Sequence, residues 1–448
     1  MKQILLNFYF RFFGILAKIY IFRQKPFIIW ITWSIGKTSA RMIISQILEK
    51  NLKNKKVYTS TKNFNWELWL SLSILWISDY EPNFFLVIKT IFKSLKISLF
   101  WKKLYDIIFL EYWIDHKWEM DFLLSIAKPD IAIITKIDKV HSSQFNTKEI
   151  IASEKYKLLK NSKNIAFLNI EDEFAKIYEK EILSQKYFYS TTSTENSKEI
   201  DLVWKNYILK FDKNNILSNF NFYFKNKKKI NITSNLIWEE NIWYINIWIF
   251  ILDYLSQKFY KKSFFVLPDL KLNLKFELQY SRFSVFKWIW NSILVDSSYN
   301  AAPESMKKVL KNFISLQKNI FSDYEMILCL WEMRELWEYS KVEHEKLAEF
   351  VKNITNEIYV VWESMKKYFL PKFKNARYFK NSKLLWEFLN KKLQKTDKKY
   401  LILFKWSQNT IFLEEALKQV LENKKDIKKI CRQENFWLEK KEKFFVKS

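Results

Sequence analysis

Glycine is nearly missing from this chain: 2 glycines stand in 448 residues, beside 20 tryptophans. An average protein carries glycine at about 7% of positions, because tight turns and close backbone approaches need a residue without a Cβ. Glycine and tryptophan taken together are ordinary for a lysine-rich protein; their split is not. It implies that most of the tryptophans are glycines in the cell of origin, their UGA codons having been rendered as Trp, since some bacterial genetic codes read UGA as glycine. The literal alternative is a Trp-rich, nearly glycine-free protein. Trp113, Trp118, Trp238, Trp331, Trp337, Trp362 and Trp406 stand beside turn or helix-start signals, where glycine has a backbone role. Trp437 lacks that context and reads as genuine, and Trp101 and Trp204 stay unassigned.

Cysteine is equally scarce. Cys329 and Cys431 alone, in apolar or helical surroundings, exclude a disulfide framework and a cysteine metal site and imply a reduced, cytoplasmic setting. No apolar run reaches the roughly 20 residues of a membrane span. The nearest, Ile4 to Phe22, is interrupted by Asn7, Arg11 and Lys18 and lacks a signal-peptide cleavage site. It reads as an amphipathic helix packed on the next domain, with a peripheral membrane contact through Phe8, Phe12, Phe13 and the flanking cations as the alternative. Internal repeats and low-complexity segments are absent.

The length suits two to three domains, and the 49% hydrophobic content suits a globular chain. A net charge of +27 fits nucleic acid or an anionic membrane in principle. The lysines are spread along the chain, however, and Ile, Asn, Phe and Tyr are abundant too, as an AT-rich coding sequence produces. No nucleic-acid partner is expected.

The organising stretch is Pro26 to Arg41, P-F-I-I-W-I-T-W-S-I-G-K-T-S-A-R. A β-branched apolar run ends at Thr32, a tight loop follows, and Gly36-Lys37-Thr38 opens a helix pattern; this is the order of a phosphate-binding loop. Thr32, Trp33, Ser34, Ile35, Gly36, Lys37, Thr38 and Ser39 are therefore the candidate nucleotide-binding residues. Trp33 breaks the pattern, because backbone N–H groups that turn inward on phosphates need glycine there. With glycine at 33 the run is T-G-S-I-G-K-T, which resembles the ATP loop of the Mur ligase family.

The resemblance continues in order to about residue 420. N-F-N-W-E-L-W at 63–69 resembles the N-F-N-x-E-x-G segment of the members that add D-Ala-D-Ala, with an amphipathic helix as the plain reading. The strand pattern Asp106 to Glu111 ends in a carboxylate, placed where an open parallel sheet keeps its ligands. Pro129 to Thr135 is a further parallel strand leading to His141, which matches the family's metal-contacting His, although Lys136 replaces the usual Asn. Lys155, on a charged helix pattern, falls on the lysine that CO2 carbamylates in the family. Residues 166–172 resemble a strand ending in N-x-D-D, and 203–237 reads as antiparallel edge strands. Asn241 is the amide the family sets against nucleotide, with a helix cap as the plain reading and Glu240 where the family has His.

A boundary is expected between Lys275 and Trp290, where E-L-Q-Y-S-R-F-S-V-F-K-W resembles the family linker carrying Arg282; Tyr280 and Ser281 replace Pro-Gly. D-S-S-Y-N-A-A-P resembles the D-x-Y-N-A-x-P junction, in which Asp296, Tyr299 and Asn300 contact ATP or position the domain. Strands 326–330, 358–361 and 401–405 alternate with helices 341–353, 381–393 and 410–422. L-W-E-M-R-E-L-W-E-Y-S and F-K-W-S resemble further family segments.

The resemblance implies an α/β protein: residues 1–25 a helix in place of a full UDP-sugar-binding domain, 26–280 a P-loop ATPase-type domain with a mostly parallel sheet, and 281–448 a Rossmann-like doubly wound domain. It implies an ATP-dependent amide ligase. Lys37, Lys155, His141 and Arg282 would be catalytic. Thr38 and Glu111 would hold one Mg2+, and His141 with carbamylated Lys155 a second. UDP-MurNAc-peptide and D-Ala-D-Ala are the implied substrates, and a monomer the implied state. A ligase for another amino acid or a lipid-linked acceptor, and a non-catalytic nucleotide-binding scaffold, stay open.

Overall fold

The structure is a computed structural model that describes residues 2–32, 37–59, 67–77, 84–101, 103–112, 114, 117–135, 137, 147–192, 199–212, 215–225, 228–237, 239–263, 270–276, 281, 283–288, 290–298, 301, 303–333, 336–405, 427 and 438–439. The chain forms two compact units, Met1–Glu277 and Leu278–Ser448.

In the first unit the elements are α1 (Lys2–Gln24), β1 (Phe27–Thr32), α2 (Lys37–Asn51), β2 (Val57–Thr59), α3 (Glu67–Ile74), α4 (Phe84–Leu99), β3 (Ile107–Tyr112), α5 (Glu119–Ile126), β4 (Ile131–Ile134), α6 (Lys148–Lys160), β5 (Ile165–Asn169), α7 (Ala175–Tyr178), β6 (Gln185–Tyr189), β7 (Leu202–Asp212), β8 (Asn215–Phe224), β9 (Lys228–Ser234), α8 (Glu239–Tyr260) and β10 (Leu270–Leu274). Their sheet runs β10-β9-β8-β7-β6-β5-β4-β1-β3-β2. It is parallel from β2 to β6 and turns antiparallel at β7-β8 and β8-β9.

The central strands read as unbroken apolar runs because helices cover both faces. Ile28 and Trp30 of β1 join Ile108, Leu110, Ala132 and Ile134 in one core with residues of α1, α3, α5 and α6. Phe27, Ile29 and Ile31 join Ile107, Phe109, Ile131 and Ile133 in the other, with residues of α2 and α8. That alternation fixes the register, since a shift of one residue would exchange the two cores.

Helix α1 corrects one expectation. Phe13 is 0% exposed, edge-on to the rings of Tyr9 and Phe12, and packs with Leu16, Ala17 and Tyr20 in the first core. Phe13 is therefore a core residue and cannot enter a membrane, and half-buried Phe12 meets it edge-on; the side chain of Phe8 lies outside the described residues. Gly14 lets α1 approach α5 closely: a Cβ there would stand 3.2 Å from Cδ1 of Ile126.

The second unit comprises β11 (Ser284–Trp288), β12 (Ser292–Ser297), α9 (Pro303–Asn319), β13 (Glu325–Trp331), α10 (Ser340–Val351), β14 (Ile358–Val361), β15 (Arg377–Phe379), α11 (Ser382–Gln394) and β16 (Tyr400–Lys405). Its sheet runs β11-β12-β16-β13-β14-β15, parallel except for the β11-β12 hairpin. Part of the stretch expected as linker is thus strand β11. Pro303 opens α9, where its missing N–H costs nothing, and Asn381 caps α11 by accepting from Leu384 N–H at 3.0 Å.

Among the described residues, five tryptophans have left-handed backbone: Trp76 (φ 56°), Trp118 (φ 75°), Trp290 (φ 68°), Trp337 (φ 46°) and Trp362 (φ 86°). Only a few per cent of non-glycine residues adopt this region, and bulky ones rarely, because Cβ crowds the following carbonyl. Trp290 and Asn291 (φ 51°) are consecutive left-handed residues closing the β11-β12 hairpin, a position that calls for glycine or asparagine. Trp118 precedes α5 as its N-cap residue, makes no side-chain cap bond, and is 73% exposed. We expect Trp118→Gly to raise stability by about 1 kcal/mol through relief of that crowding, read as a rise in thermal midpoint; an equal or lower midpoint would show that the indole's contact with Lys157 outweighs it.

Candidate functional site: the carboxyl edge of the first sheet

β1 lies between β3 and β4, and the chain order reverses beside it, so the carboxyl ends of these strands border the crevice where open α/β sheets take ligands. β1 ends at Thr32, and α2 starts at Lys37. A helix start there aims free N–H groups and the positive end of the helix dipole at the loop between them. Trp33, Ser34, Ile35 and Gly36 lie outside the described residues, as do the side chains of Lys37, Thr38 and Ser39, which occupy the first turn of α2.

Around this point the strand ends are tied together. Thr32 is 0% exposed, its carbonyl accepts from Thr135 N–H at 3.2 Å, and its buried Oγ1 has no partner among the described residues. Glu111 is level with Ile31 on the neighbouring strand and half-buried. The sheet therefore brings Thr32, Glu111 and the first turn of α2 to one edge. His141 lies outside the described residues. Among the described residues no group of three or more His, Cys, Asp or Glu side chains is placed to hold a metal.

Lys155 is 3% exposed on α6, which packs on β4 and α5. Its neighbour Glu154, 4% exposed, accepts from Met120 N–H at 3.2 Å and pairs with Lys157 at 2.8 Å, so that α6 supplies the cap Trp118 cannot give to α5. Asn241 is half-buried in the first turn of α8.

Two carboxylates beyond β5 complete the edge, and the sequence assigned them no role. Asp172 accepts from Ile137 N–H and from Phe174 N–H, each at 2.9 Å, and so holds the start of the segment that leads to His141. Burial raises its pKa, and the two N–H bonds pull it back. Glu171 accepts from Ser190 Oγ, from Thr191 N–H at 2.9 Å and from Thr192 Oγ1 at 3.0 Å, while Tyr189 OH donates to the Ile134 carbonyl at 2.8 Å. The ends of β4, β5 and β6 thus form one hydrogen-bonded rim. The signals in the sequence were a pair of acids directly after a strand, Asn169-Ile170-Glu171-Asp172, and the resemblance of that segment to N-x-D-D. Asn169 itself is 0% exposed, and its Nδ2 has no acceptor among the described residues.

Residues 31–246, which contain this rim, match the Mur ligase middle domain. This stretch, just under half of the chain, therefore carries a Mur ligase middle domain. A UDP-N-acetylmuramoyl-tripeptide–D-alanyl-D-alanine ligase of Rickettsia prowazekii is 25% identical over 388 residues, covering 82% of this chain and 74% of the relative. One of the same name from Borreliella burgdorferi is 29% identical over 150 residues, 34% of this chain and 26% of the relative. The solved MurF ligase of Thermotoga maritima in complex with ADP has the same fold, at TM-score 0.64 and 21% identity, with 94% of this chain and 84% of that one covered. MurF from Acinetobacter baumannii matches at TM-score 0.65 and 17% identity, covering 92% and 80%.

In the second unit, Asp296 is the penultimate residue of β12 and wholly buried. Ser281 Oγ donates to its Oδ2 at 2.6 Å, and Ser298 N–H to its Oδ1 at 3.1 Å. Ser281 stands where the family linker has glycine, and its backbone is left-handed (φ 59°); the hydroxyl anchors it. Lys405, 3% exposed on the adjacent strand, donates to the Ser297 carbonyl at 3.4 Å. Arg282, Tyr299 and Asn300 lie outside the described residues.

His344, 0% exposed on α10, bridges to the segment after β13: its Nε2 accepts from Met333 N–H at 3.0 Å, and Nδ1–H donates to the Ser340 carbonyl at 2.6 Å. Burial lowers its pKa below the usual histidine value. The unfolded chain therefore takes up the proton first as pH falls, and stability drops from about pH 6.5 downward, levelling only below the folded pKa. Between about pH 7.5 and pH 5 the thermal midpoint should fall by about 2–4 °C more than that of His344→Gln, whose amide can keep both bonds. Equal slopes would show that His344 is not the titrating group.

Proposed function

We propose that this protein is a Mur ligase that joins D-Ala-D-Ala to the tripeptide carboxylate of a UDP-MurNAc-tripeptide at the expense of ATP, the reaction named for its curated relatives. The observation that carries the reading is the carboxyl edge of the first sheet, where Thr32, the start of α2 at Lys37 and Glu111 converge inside the matched middle domain. The buried, unpartnered Oγ1 of Thr32 and the helix start suit a nucleotide phosphate.

The substrate carboxylate oxygen attacks the γ-phosphorus, the bond to the β,γ-bridging oxygen breaks, and ADP leaves. The amine of D-Ala-D-Ala then attacks the acyl phosphate carbon, loses a proton, and expels inorganic phosphate. Such phosphoryl transfer asks the protein for positioning and for neutralisation of charge. Lys37 would hold the β- and γ-phosphates, and Arg282 would add positive charge at the γ-phosphate. Asn241, Tyr299 and Asn300 would fix the nucleotide, while Asp296, with both oxygens engaged, would brace the linker through Ser281.

Glu111 with Thr38, and His141 with carbamylated Lys155, would be the Mg2+ ligands; bound Mg2+ neutralises charge on the transferring phosphoryl oxygens. Carbamylation would turn the buried Lys155 from a cation into an oxygen donor, the type magnesium prefers. Asp172, by holding Ile137 N–H, would set the approach to His141.

The loop works this way with glycine at 33, and we propose that UGA-encoded glycine occupies it, along with most of the other Trp positions. What supports this is the left-handed backbone of Trp76, Trp118, Trp290, Trp337 and Trp362. Trp204 and Trp331 read otherwise, as core residues of β7 and β13 that are 2% and 1% exposed; Trp331 thus departs from the turn position expected for it.

The test is incubation of the glycine-33 chain with ATP, UDP-MurNAc-tripeptide and D-Ala-D-Ala, read by mass spectrometry. The proposal expects the pentapeptide product with matching ADP. ATP binding without product from this pair would reject the substrate assignment, and absence of ATP binding would reject the ligase reading.

A further inference from the structure

Helix α4 sets Ile97 (0% exposed) in the first core with Ile91 and Leu95 packed against it, yet it carries apolar side chains on its outer face as well. It buries Thr90 (5% exposed), Ser94 (0%) and Ser98 (0%), and turns Ile88 (38%), Phe92 (69%) and Leu99 (42%) outward, followed by Phe100 (76%). A helix whose outer face meets only water keeps that face polar, because apolar area gains free energy by leaving water. Exposed Lys89, Lys93 and Lys96 lie beside the apolar stripe.

The neighbouring helix repeats the composition. α1 keeps Arg11, Ile15, Lys18 and Phe22 exposed at helical spacing, with Ile15 59% and Phe22 78% accessible. The two helices meet at their carboxyl ends: Arg23 donates to the Ser98 carbonyl, and Gln24 Nε2 to the Trp101 carbonyl at 3.1 Å. Exposed Phe22, Leu99 and Phe100 thus flank one joint. No Asp or Glu occurs before Glu49, and none between Glu81 and Asp106. Both helices are therefore cationic and apolar on their outer faces, without a carboxylate of their own.

We propose that the outer faces of α1 and α4 dock on an anionic phospholipid bilayer. Lipid phosphates and carboxylates meet the Arg and Lys row, and Phe22, Phe92, Leu99 and Phe100 enter the boundary between headgroups and chains while the lysine stems lie along it. The apolar half of the pattern favours a bilayer over RNA, whose phosphates would be served by the cations alone. The residues differ from the aromatics first expected in α1, since Phe13 belongs to the core. The inference does not depend on the proposed substrates.

The test is flotation of the full chain with phosphatidylcholine vesicles containing about 30% phosphatidylglycerol, against pure phosphatidylcholine vesicles and against polyuridylate RNA. The expected result is binding to the anionic vesicles, weakened by about 0.5 M salt and reduced at least about tenfold in Phe92→Ser/Phe100→Ser. The circular dichroism spectrum and thermal midpoint of that variant should match those of the parent chain, which shows that it folds. No binding to anionic vesicles, equal binding by the variant, or tighter binding to RNA that the Phe changes leave untouched would each overturn the proposal.

Discussion

With glycine at position 33 in place of Trp33, ATP binding should tighten at least about a hundredfold, because two or more charge-assisted backbone hydrogen bonds to phosphate, each worth about 1.5–3 kcal/mol, become available. The strand before the loop and the helix after it are both in place, so the substitution acts on the loop alone. Calorimetric titration with ATP and magnesium reads the difference. Equal tight binding by both forms would mean that an indole is compatible with the phosphate site. The companion measurement is mass spectrometry of the peptide spanning position 33 from the native host. Glycine is the expected residue, and tryptophan would defeat the recoding proposal and favour a non-catalytic relative.

Lys37→Ala in the glycine-33 chain should lower kcat by about 10³, the scale seen when a preorganised donor to a reacting anion is removed. Lys37 is the first residue of α2, at the carboxyl edge of the sheet, so the thermal midpoint should move little. A fall in kcat of less than about tenfold at unchanged fold would remove Lys37 from the phosphoryl-transfer step.

The parallel strands were legible because burial on both faces turns them into apolar runs: β1, β3, β4 and β5 each lie where the sequence pattern places a strand. So was the convergence of Thr32 and Glu111, since a parallel sheet brings strand ends level. The rim built by Asp172, Glu171 and Tyr189 was not, because its bonds run to backbone groups up to 55 residues away, and no local pattern records them. The direction of α1 was misjudged at Phe13 because a helix apolar on nearly every side does not announce its buried face. β11 was hidden in a stretch read as linker, since a five-residue strand pairing with its neighbour needs little more than β-branched and aromatic residues. The left-handed tryptophans could be suspected from composition, but only backbone angles separate Trp362 from the core Trp204.

The most direct test of the ligase mechanism is isotope transfer. UDP-MurNAc-tripeptide carrying 18O in the reacting carboxylate is turned over by the glycine-33 chain with ATP and D-Ala-D-Ala, and the released phosphate is analysed by mass spectrometry. An acyl phosphate requires one 18O per phosphate, because the attacking carboxylate oxygen leaves with phosphorus when the amine displaces it. Phosphate free of label, with product formed, would contradict the mechanism.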